Sequence, residues 1–195
     1  MAKLQHAIDS AHNRGWPDRI GRIIMNSSAV ELESVHWLVQ LTERHEDIGR
    51  FFGQTFMARL LDIERCVEIR GAAEKAWRQK ALRAWNEVRV LIPVRNQVAH
   101  NPLIYGWSGP AQRGEPDFVC IASMPGRRSR RSMLKRQEAD KAGDDFAALA
   151  QRLTALRREW QAKRDQGMVP PAMPPTGIRR RLTARFHRWI DKLSM

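Results

Sequence analysis

The feature that most constrains the fold is a recurrence of apolar residues every three or four positions over long stretches of the chain. Such a pattern is typical of amphipathic helices that bury one face. It runs through four segments, residues 20–44, 51–70, 73–92 and 138–165. Helices of this length joined by short loops predict an antiparallel bundle, so the expected fold class is all-α. Gly49 is expected to break the chain before the second segment. Pro93 is expected either to kink the third helix or to begin a new turn.

A different sequence pattern interrupts the helical one between the third and fourth segments. Residues 104–107 and 117–122 are short β-prone runs, and the residues between them are rich in Gly and Pro. We expect a small β-hairpin around residues 104–124, or two short extended pieces, inserted into the bundle.

The domain organisation follows from these patterns and from the composition of the C-terminal residues. A chain of 195 residues is long enough for one domain with an appendage. The helical bundle with its insertion is expected to occupy residues 1–166. Residues 167–178 form a Pro-rich linker, which is expected to be stiff and extended. Residues 179–195 are predicted to form a basic amphipathic helix.

Charge is distributed unevenly along the chain. The net charge is +13, and residues 126–195 contain 18 Lys and Arg against 7 Asp and Glu. Such a basic region is typical of proteins that bind polyanions, with RNA or DNA favoured over an anionic membrane. The alternative is a solvated basic face in a protein whose genome favours arginine codons.

Two basic segments are candidates for contact with RNA. The first carries six cations that are predicted to bind RNA, namely Arg127, Arg128, Arg130, Arg131, Lys135 and Arg136. The alternative for this segment is a disordered loop without a ligand. The C-terminal helix has three possible roles, which are docking on the bundle or on a partner, RNA binding, and attachment to an anionic membrane.

Location and redox state are constrained by what the sequence lacks. No run of apolar residues approaches the length needed to cross a bilayer, and the N-terminus has no apolar signal core. We therefore expect a cytoplasmic protein without a transmembrane segment. Cys66 and Cys120 fit neither a disulfide framework nor a metal knuckle, and both are expected to be free, partly buried thiols.

The strongest candidate site is the segment 94–103, which contains Arg95, Asn96 and His100 shortly before a helix stop at Asn101-Pro102. On a helix, Asn96 and His100 share a face, and Arg95 lies about 100° away. Arginine offers a planar set of donors that matches a phosphate. Histidine exchanges protons near neutral pH. The trio therefore suits phosphate chemistry that needs no metal or other cofactor.

This segment resembles the motif of the HEPN superfamily, in which an Arg, followed by a polar residue that is often Asn, precedes a His by a few positions. The resemblance extends over roughly residues 20–165 and implies an all-helical domain that cleaves RNA without a metal. It implies that His100 acts as general base or acid and that Arg95 stabilises the charge on the phosphate. Asn96 would position the phosphate or hold the His100 tautomer.

The resemblance also implies an assembly and a biological setting. Paired motifs across a dimer cleft would supply both an acid and a base, so we expect a homodimer with a composite active site. The apolar face of the motif helix, with Ala99 as a position of close approach, would form its seam. A toxin or phage-defence effector, with an antitoxin or regulatory partner, fits this picture. In HEPN toxins controlled by nucleotidylation, a Tyr follows the motif His two positions later. Pro102 occupies that position here and the only tyrosine is Tyr105, which argues against such control.

Three alternatives remain open at this point. The motif residues are also compatible with a polar helix end, where a histidine gains stability from the helix dipole alone. The protein is alternatively a non-catalytic HEPN-like module that binds RNA or a partner protein. Glu33 and His36 have the Glu-x-x-His spacing of carboxylate metal sites, but a di-iron bundle needs a second such pair and the sequence offers none.

Overall fold

The structure, a computed structural model, describes residues 15–100, 103–106, 118–121 and 132–169. Five helices lie in these residues: α1 (Gly15–Thr42), α2 (Ile48–Gly53), α3 (Phe56–Arg70), α4 (Lys75–His100) and α5 (Arg136–Asp165). Three short strands accompany them: β1 (Leu103–Gly106), β2 (Phe118–Ile121) and β3 (Ser132–Lys135). Helices dominate, and the all-α class is confirmed. The predicted basic helix at 179–195 and most of the Pro-rich linker lie outside the described residues.

The order of the contacts gives the direction of each long helix. Trp77 at the start of α4 reaches Leu156 near the end of α5, so these two helices are antiparallel. The α4 helix is also antiparallel to α1 and α3. By contrast, α1 and α5 run in the same direction, as pairs from Arg19–Asp140 to Arg157–Glu33 show. No helix in the described part of the chain is both long enough and apolar enough to cross a membrane.

A group of tryptophans forms the centre of the core, where α1, α4 and α5 meet. The rings of Trp77 and Trp160 stack with centroids 4.1 Å apart. Trp37 stacks on Trp77 at 5.7 Å and meets Trp85 edge to face at 5.5 Å. All four are almost completely buried. Offset and edge-to-face contacts add to the hydrophobic burial of such large rings, so this cluster ties the three helices together.

The second predicted helix, 51–70, is in fact two helices. The α2 helix ends at Gly53, and the chain is extended at Gln54 and Thr55 before α3 begins. Thr55 caps α3, because its side-chain oxygen accepts a hydrogen bond from the Ala58 N–H at 3.3 Å. Gly49, predicted to break the chain, lies inside α2. The first N–H groups of a helix have no partner within that helix. The Thr55 side chain accepts from one of them, and this stabilises the start of a new helix at Phe56.

The third predicted helix is longer than expected and carries the candidate motif. The α4 helix continues through Pro93 to His100, so the proline neither ends it nor begins a separate turn. Pro93 is exposed, where a carbonyl that loses its helical partner can be solvated. Val98 is buried, and it anchors the last turn of α4 to the core.

A small antiparallel sheet connects the end of α4 with the start of α5. Its strand order is β1-β2-β3, and Leu103 pairs with Ile121 while Phe118 pairs with Lys135. The predicted hairpin corresponds to β1 and β2. The third strand was not predicted, because it follows directly on an arginine-rich stretch with no apolar alternation. The sheet brings the chain from the motif to the first residue of α5.

Candidate functional site

The three motif residues lie together at the C-terminal end of α4. Arg95 Nη1 donates to Asn96 Oδ1 at 3.1 Å and to His100 Nε2 at 3.2 Å. Asn96 and His100 are exposed, while the Arg95 side chain keeps 26% of its surface accessible. The spacing of five residues between Arg95 and His100 lets the guanidinium reach forward along the helix to the imidazole. These contacts therefore join Arg95 to Asn96 and His100, although the helical repeat places it about 100° away from Asn96.

The Arg95–His100 contact joins the two groups that the motif supplies for phosphate chemistry. A guanidinium offers only N–H donors, so Arg95 can donate to an imidazole nitrogen that carries no proton. The other ring nitrogen of His100, Nδ1, does not take part in this contact.

A carboxylate that the motif does not include holds the other side of the guanidinium. Glu31, on α1, places Oε1 2.8 Å from Arg95 Nη2. Its second oxygen lies 3.7 Å from Nη2 of Arg59, on α3. Arg95 in this structure is therefore part of an ion-pair network, and an incoming phosphate would compete with Glu31 for it.

Arg59 organises the wall beside the motif. It is only 6% exposed, and burial lowers its pKa while the Glu31 carboxylate opposes that effect. Its Nη1 donates to the carbonyls of Phe51 at 3.1 Å and Gln54 at 2.6 Å, and its Nε donates to Ser34 Oγ at 2.8 Å. Arg59 thus fastens the α2–α3 connection to α1.

The result of this arrangement is a cleft of about 470 Å³ next to the motif. Its walls are formed by α1, α2, α3, the connection between α2 and α3, and the motif residue Arg95. The lining residues are Ser28, Glu31, Leu32, Val35, Phe52, Gln54, Thr55, Phe56, Arg59 and Arg95. Phe52, which lies in the segment 51–70 that was expected to be one helix, is 57% exposed. The extended residues after α2 separate it from the helix that begins at Phe56. We call this space the Phe52 cleft.

Two residues that line the Phe52 cleft each carry a buried polar atom with no hydrogen-bond partner among the described residues. They are Gln54, through its Oε1 acceptor, and Arg95, through its Nε donor. The Gln54 amide is otherwise held in place, because its Nε2 donates to Asp62 Oδ2 at 3.1 Å.

Only two of the six cations predicted to bind RNA fall within the described residues. Lys135 is exposed at the end of β3, and Arg136 begins α5. The backbone N–H of Lys135 donates to Glu138 Oε2 at 2.9 Å, which fixes the start of that helix. Arg127, Arg128, Arg130 and Arg131 lie outside the described residues, so their part of the prediction stays open.

The Glu33–His36 pair lies away from the motif and belongs to a structural ion pair. Arg157 Nε donates to Glu33 Oε2 at 2.9 Å. Burial alone would raise the pKa of Glu33, but the hydrogen bond and charge of Arg157 lower it overall. His36 Nδ1 lies 3.6 Å from the same carboxylate. Within the described ranges, no group of three or more His, Cys, Asp or Glu is arranged to hold a metal ion.

Sequence reasoning missed Glu31, Arg59 and Phe52 as members of the site. Glu31 is one of many acidic residues in the chain, and Arg59 is one of many arginines. The one available signal was an arginine among the apolar positions of 56–67, which indicates a buried cation that needs several acceptors. No protein-family model, curated protein or solved structure matches this chain.

Proposed function

We propose that this protein is a metal-independent endoribonuclease of the HEPN type. The observation that carries the proposal is the contact of Arg95 with His100 at the exposed end of α4, beside a cleft of nucleotide size. A guanidinium and an imidazole in contact provide charge stabilisation and proton transfer within one site. The basic C-terminal third of the chain supplies long-range attraction for RNA.

In the proposed reaction, the ribose 2′-oxygen attacks the neighbouring phosphorus and the bond from phosphorus to the 5′-oxygen breaks. His100 of one copy takes the 2′-hydroxyl proton, and His100 of a second copy gives a proton to the departing 5′-oxygen. Arg95 stabilises the negative charge that grows on the non-bridging oxygens. The products are a 2′,3′-cyclic phosphate end and a 5′-hydroxyl end.

The resting contacts of Arg95 require a rearrangement when RNA binds. His100 Nε2 lies 3.2 Å from Arg95 Nη1, and Glu31 contacts the other terminal nitrogen of the guanidinium. A phosphate that takes over the donors of Arg95 frees the imidazole to act as a base. Substrate binding and activation of the base are then one event, with Glu31 as the competitor that the phosphate must displace.

A homodimer completes this scheme, because one imidazole serves as either acid or base in a single step. Two Arg95–His100 sets that face each other across a twofold axis supply both roles. The exposed position of Ala99 at the end of α4 is compatible with such an approach. The biological role that we propose is that of a toxin or phage-defence effector, controlled by an antitoxin or another regulatory protein.

The decisive experiment compares wild type with His100→Ala on total RNA in the presence of EDTA. Cleavage by wild type alone, with cyclic phosphate ends, supports the proposal. Cleavage by both proteins indicates a contaminant, and cleavage by neither removes the catalytic claim. Asn101→Ala is a useful control, because it changes the neighbouring residue and retains Arg95, Asn96 and His100.

The Glu31 ion pair favours a second candidate function. A carboxylate that neutralises Arg95 lowers its attraction for phosphate, as expected for a module that binds RNA or a partner protein without cleaving it. Such a module would bind RNA with a steep salt dependence that His100→Ala leaves unchanged. Growth of a bacterial host that expresses the protein separates the two functions, because only the nuclease is expected to arrest growth.

A further inference from the structure

The Phe52 cleft combines the features of a site for a flat, polar-edged ring. One aromatic side chain stands exposed at its wall, and a second, Phe56, lies beside Arg59 with the guanidinium carbon 5.7 Å from its ring centroid. The volume of about 470 Å³ falls within the range of small-molecule sites. Phe52 and Leu32 are both large apolar side chains that water reaches, so a ligand that covered them would gain burial.

The polar groups of the cleft suit the hydrogen-bonding edge of a flat ring better than they suit a simple anion. Gln54 and Arg95 line the cleft, and their amide and guanidinium groups supply a hydrogen-bond acceptor and several donors. Glu31 contributes carboxylate oxygens that accept hydrogen bonds, and Ser28 contributes a hydroxyl. The edge of a nucleobase carries both donors and acceptors, so a protein must offer both to bind it. A phosphate needs only donors from the protein.

We propose that the Phe52 cleft binds a nucleobase of single-stranded RNA, with the base stacked on Phe52 and the adjoining phosphate at Arg95. This inference rests on the proposed function for the position of the phosphate, but the cleft itself is independent of any cleavage step. Stacking on an exposed aromatic ring is a common way for proteins to hold unpaired bases. Arg95 belongs both to the cleft and to the motif, so a base in the cleft places its own phosphate within reach of His100.

The competing occupant is a second copy of this chain, whose side chains would cover Phe52. A concave cleft with several polar groups in its wall fits a single ring better than it fits the flat, extended surface of a dimer interface. The two occupants make different predictions for abasic RNA and for the oligomeric state, so one set of variants separates them.

The test uses fluorescence anisotropy with a labelled single-stranded RNA and a second RNA of equal length that lacks its bases. The full chain carries His100→Ala, so neither probe is cleaved. We expect Phe52→Ala to weaken binding of the normal RNA by about tenfold. Binding of the abasic RNA is expected to stay the same. Phe52→Trp is expected to restore affinity, and Phe52→Leu, which keeps the apolar bulk but not the ring, is expected to behave like Phe52→Ala.

Ile69→Ala is the matched control, because Ile69 is a similarly exposed apolar residue that lies outside the cleft. Equal affinity of the parent protein for the two RNAs would overturn the inference. So would a Phe52→Ala variant that binds both RNAs normally but sediments as a smaller species, which would assign the cleft to a protein interface. A wild type that binds bases in this way yet leaves RNA intact in EDTA would retain the base site and refute only the nuclease.

Discussion

Glu31 Oε1 lies 2.8 Å from Arg95 Nη2, so a residue of α1 holds the guanidinium of the motif on α4. The two residues are far apart in sequence, and the antiparallel packing of α1 and α4 brings them together. Both side chains retain about a quarter of their surface accessible to water. This pair therefore affects the charge of the motif more than it affects the stability of the fold, because partly exposed ion pairs contribute little.

Replacement of Glu31 is expected to strengthen RNA binding. Glu31→Gln removes a negative charge that competes with phosphate for Arg95, and we expect the affinity to rise roughly threefold, as for the loss of one exposed charge interaction. Fluorescence anisotropy at low and high salt measures this change. Glu68→Gln is the matched control, because Glu68 pairs with Arg78 away from the motif and its loss changes the net charge equally. An equal rise in both variants would show that only total charge matters.

Replacement of Arg59 is expected to destabilise the protein. Arg59→Leu leaves the Ser34 hydroxyl and the carbonyls of Phe51 and Gln54 without this donor, at a cost of about 3 kcal/mol in the free energy of unfolding. Arg59→Lys is expected to recover little, because an ammonium lacks the planar set of donors. Urea denaturation measures both.

The control for Arg59 is Arg50→Leu, since Arg50 is half-exposed and lies 3.7 Å from Asp47. We expect a change in stability of less than about 1 kcal/mol for that variant. If Arg59→Leu were as stable as Arg50→Leu, the buried network would not hold the α2–α3 connection.

The two stacked tryptophans allow a direct measurement of one buried hydrogen bond. Trp77 and Trp160 are each 1% exposed, but Trp77 Nε1 donates to the Leu156 carbonyl at 2.9 Å, whereas Trp160 Nε1 finds no acceptor among the described residues. Trp77→Phe and Trp160→Phe remove similar volume. We therefore expect Trp77→Phe to lower the free energy of unfolding by about 1 kcal/mol more than Trp160→Phe. Chemical denaturation followed by far-UV circular dichroism gives the comparison, and equal losses would contradict it.

The Cys66 thiol is expected to be unreactive in the native protein. Burial, aided by the nearby Asp62 carboxylate, raises its pKa to about 11. The fraction of thiolate at neutral pH is then roughly three hundredfold lower than for a free cysteine. In a Cys120→Ser background, alkylation by iodoacetamide should be slow until a denaturant unfolds the chain. Rapid alkylation of the native protein would disprove the burial of this thiol.

The same raised pKa predicts how stability depends on pH. The native thiol keeps its proton above the pH at which the unfolded thiol loses it, so the native state binds more protons between pH about 8.5 and about 11. The free energy of unfolding should therefore fall as the pH rises through this window. Cys66→Ala is expected to flatten this dependence in urea denaturation, whatever its effect at neutral pH.

Much of the helical framework was predictable, because a period near 3.6 reports which residues of a helix face the core. Apolar residues at this spacing in 73–92, such as Trp77, Trp85 and Val88, are buried. The same period also runs through Phe52 and Phe56, where the chain is broken between two helices. The periodic pattern does not predict this break, because the break depends on the Thr55 cap and on carbonyls that accept hydrogen bonds from Arg59. Tertiary hydrogen bonds of this kind leave no periodic signal.

The candidate site was predictable only in its local part. Asn96 and His100 lie four residues apart on one helix, so their spacing alone placed them on one face, whereas it placed Arg95 about 100° away. Glu31 joins them through the packing of two helices, which a single sequence does not specify. The state of Arg95, engaged by both a carboxylate and an imidazole, is a product of the fold and not of the motif.

The ring stack at the centre of the bundle gives this protein an intrinsic optical signal. Indole groups as close as those of Trp77 and Trp160 couple their electronic transitions, and the coupling changes steeply with their separation. A small shift of α4 against α5 would therefore alter the near-ultraviolet dichroism. Since α4 ends at His100, strain that the proposed RNA ligand would place on that end should change this dichroism, which needs no added label.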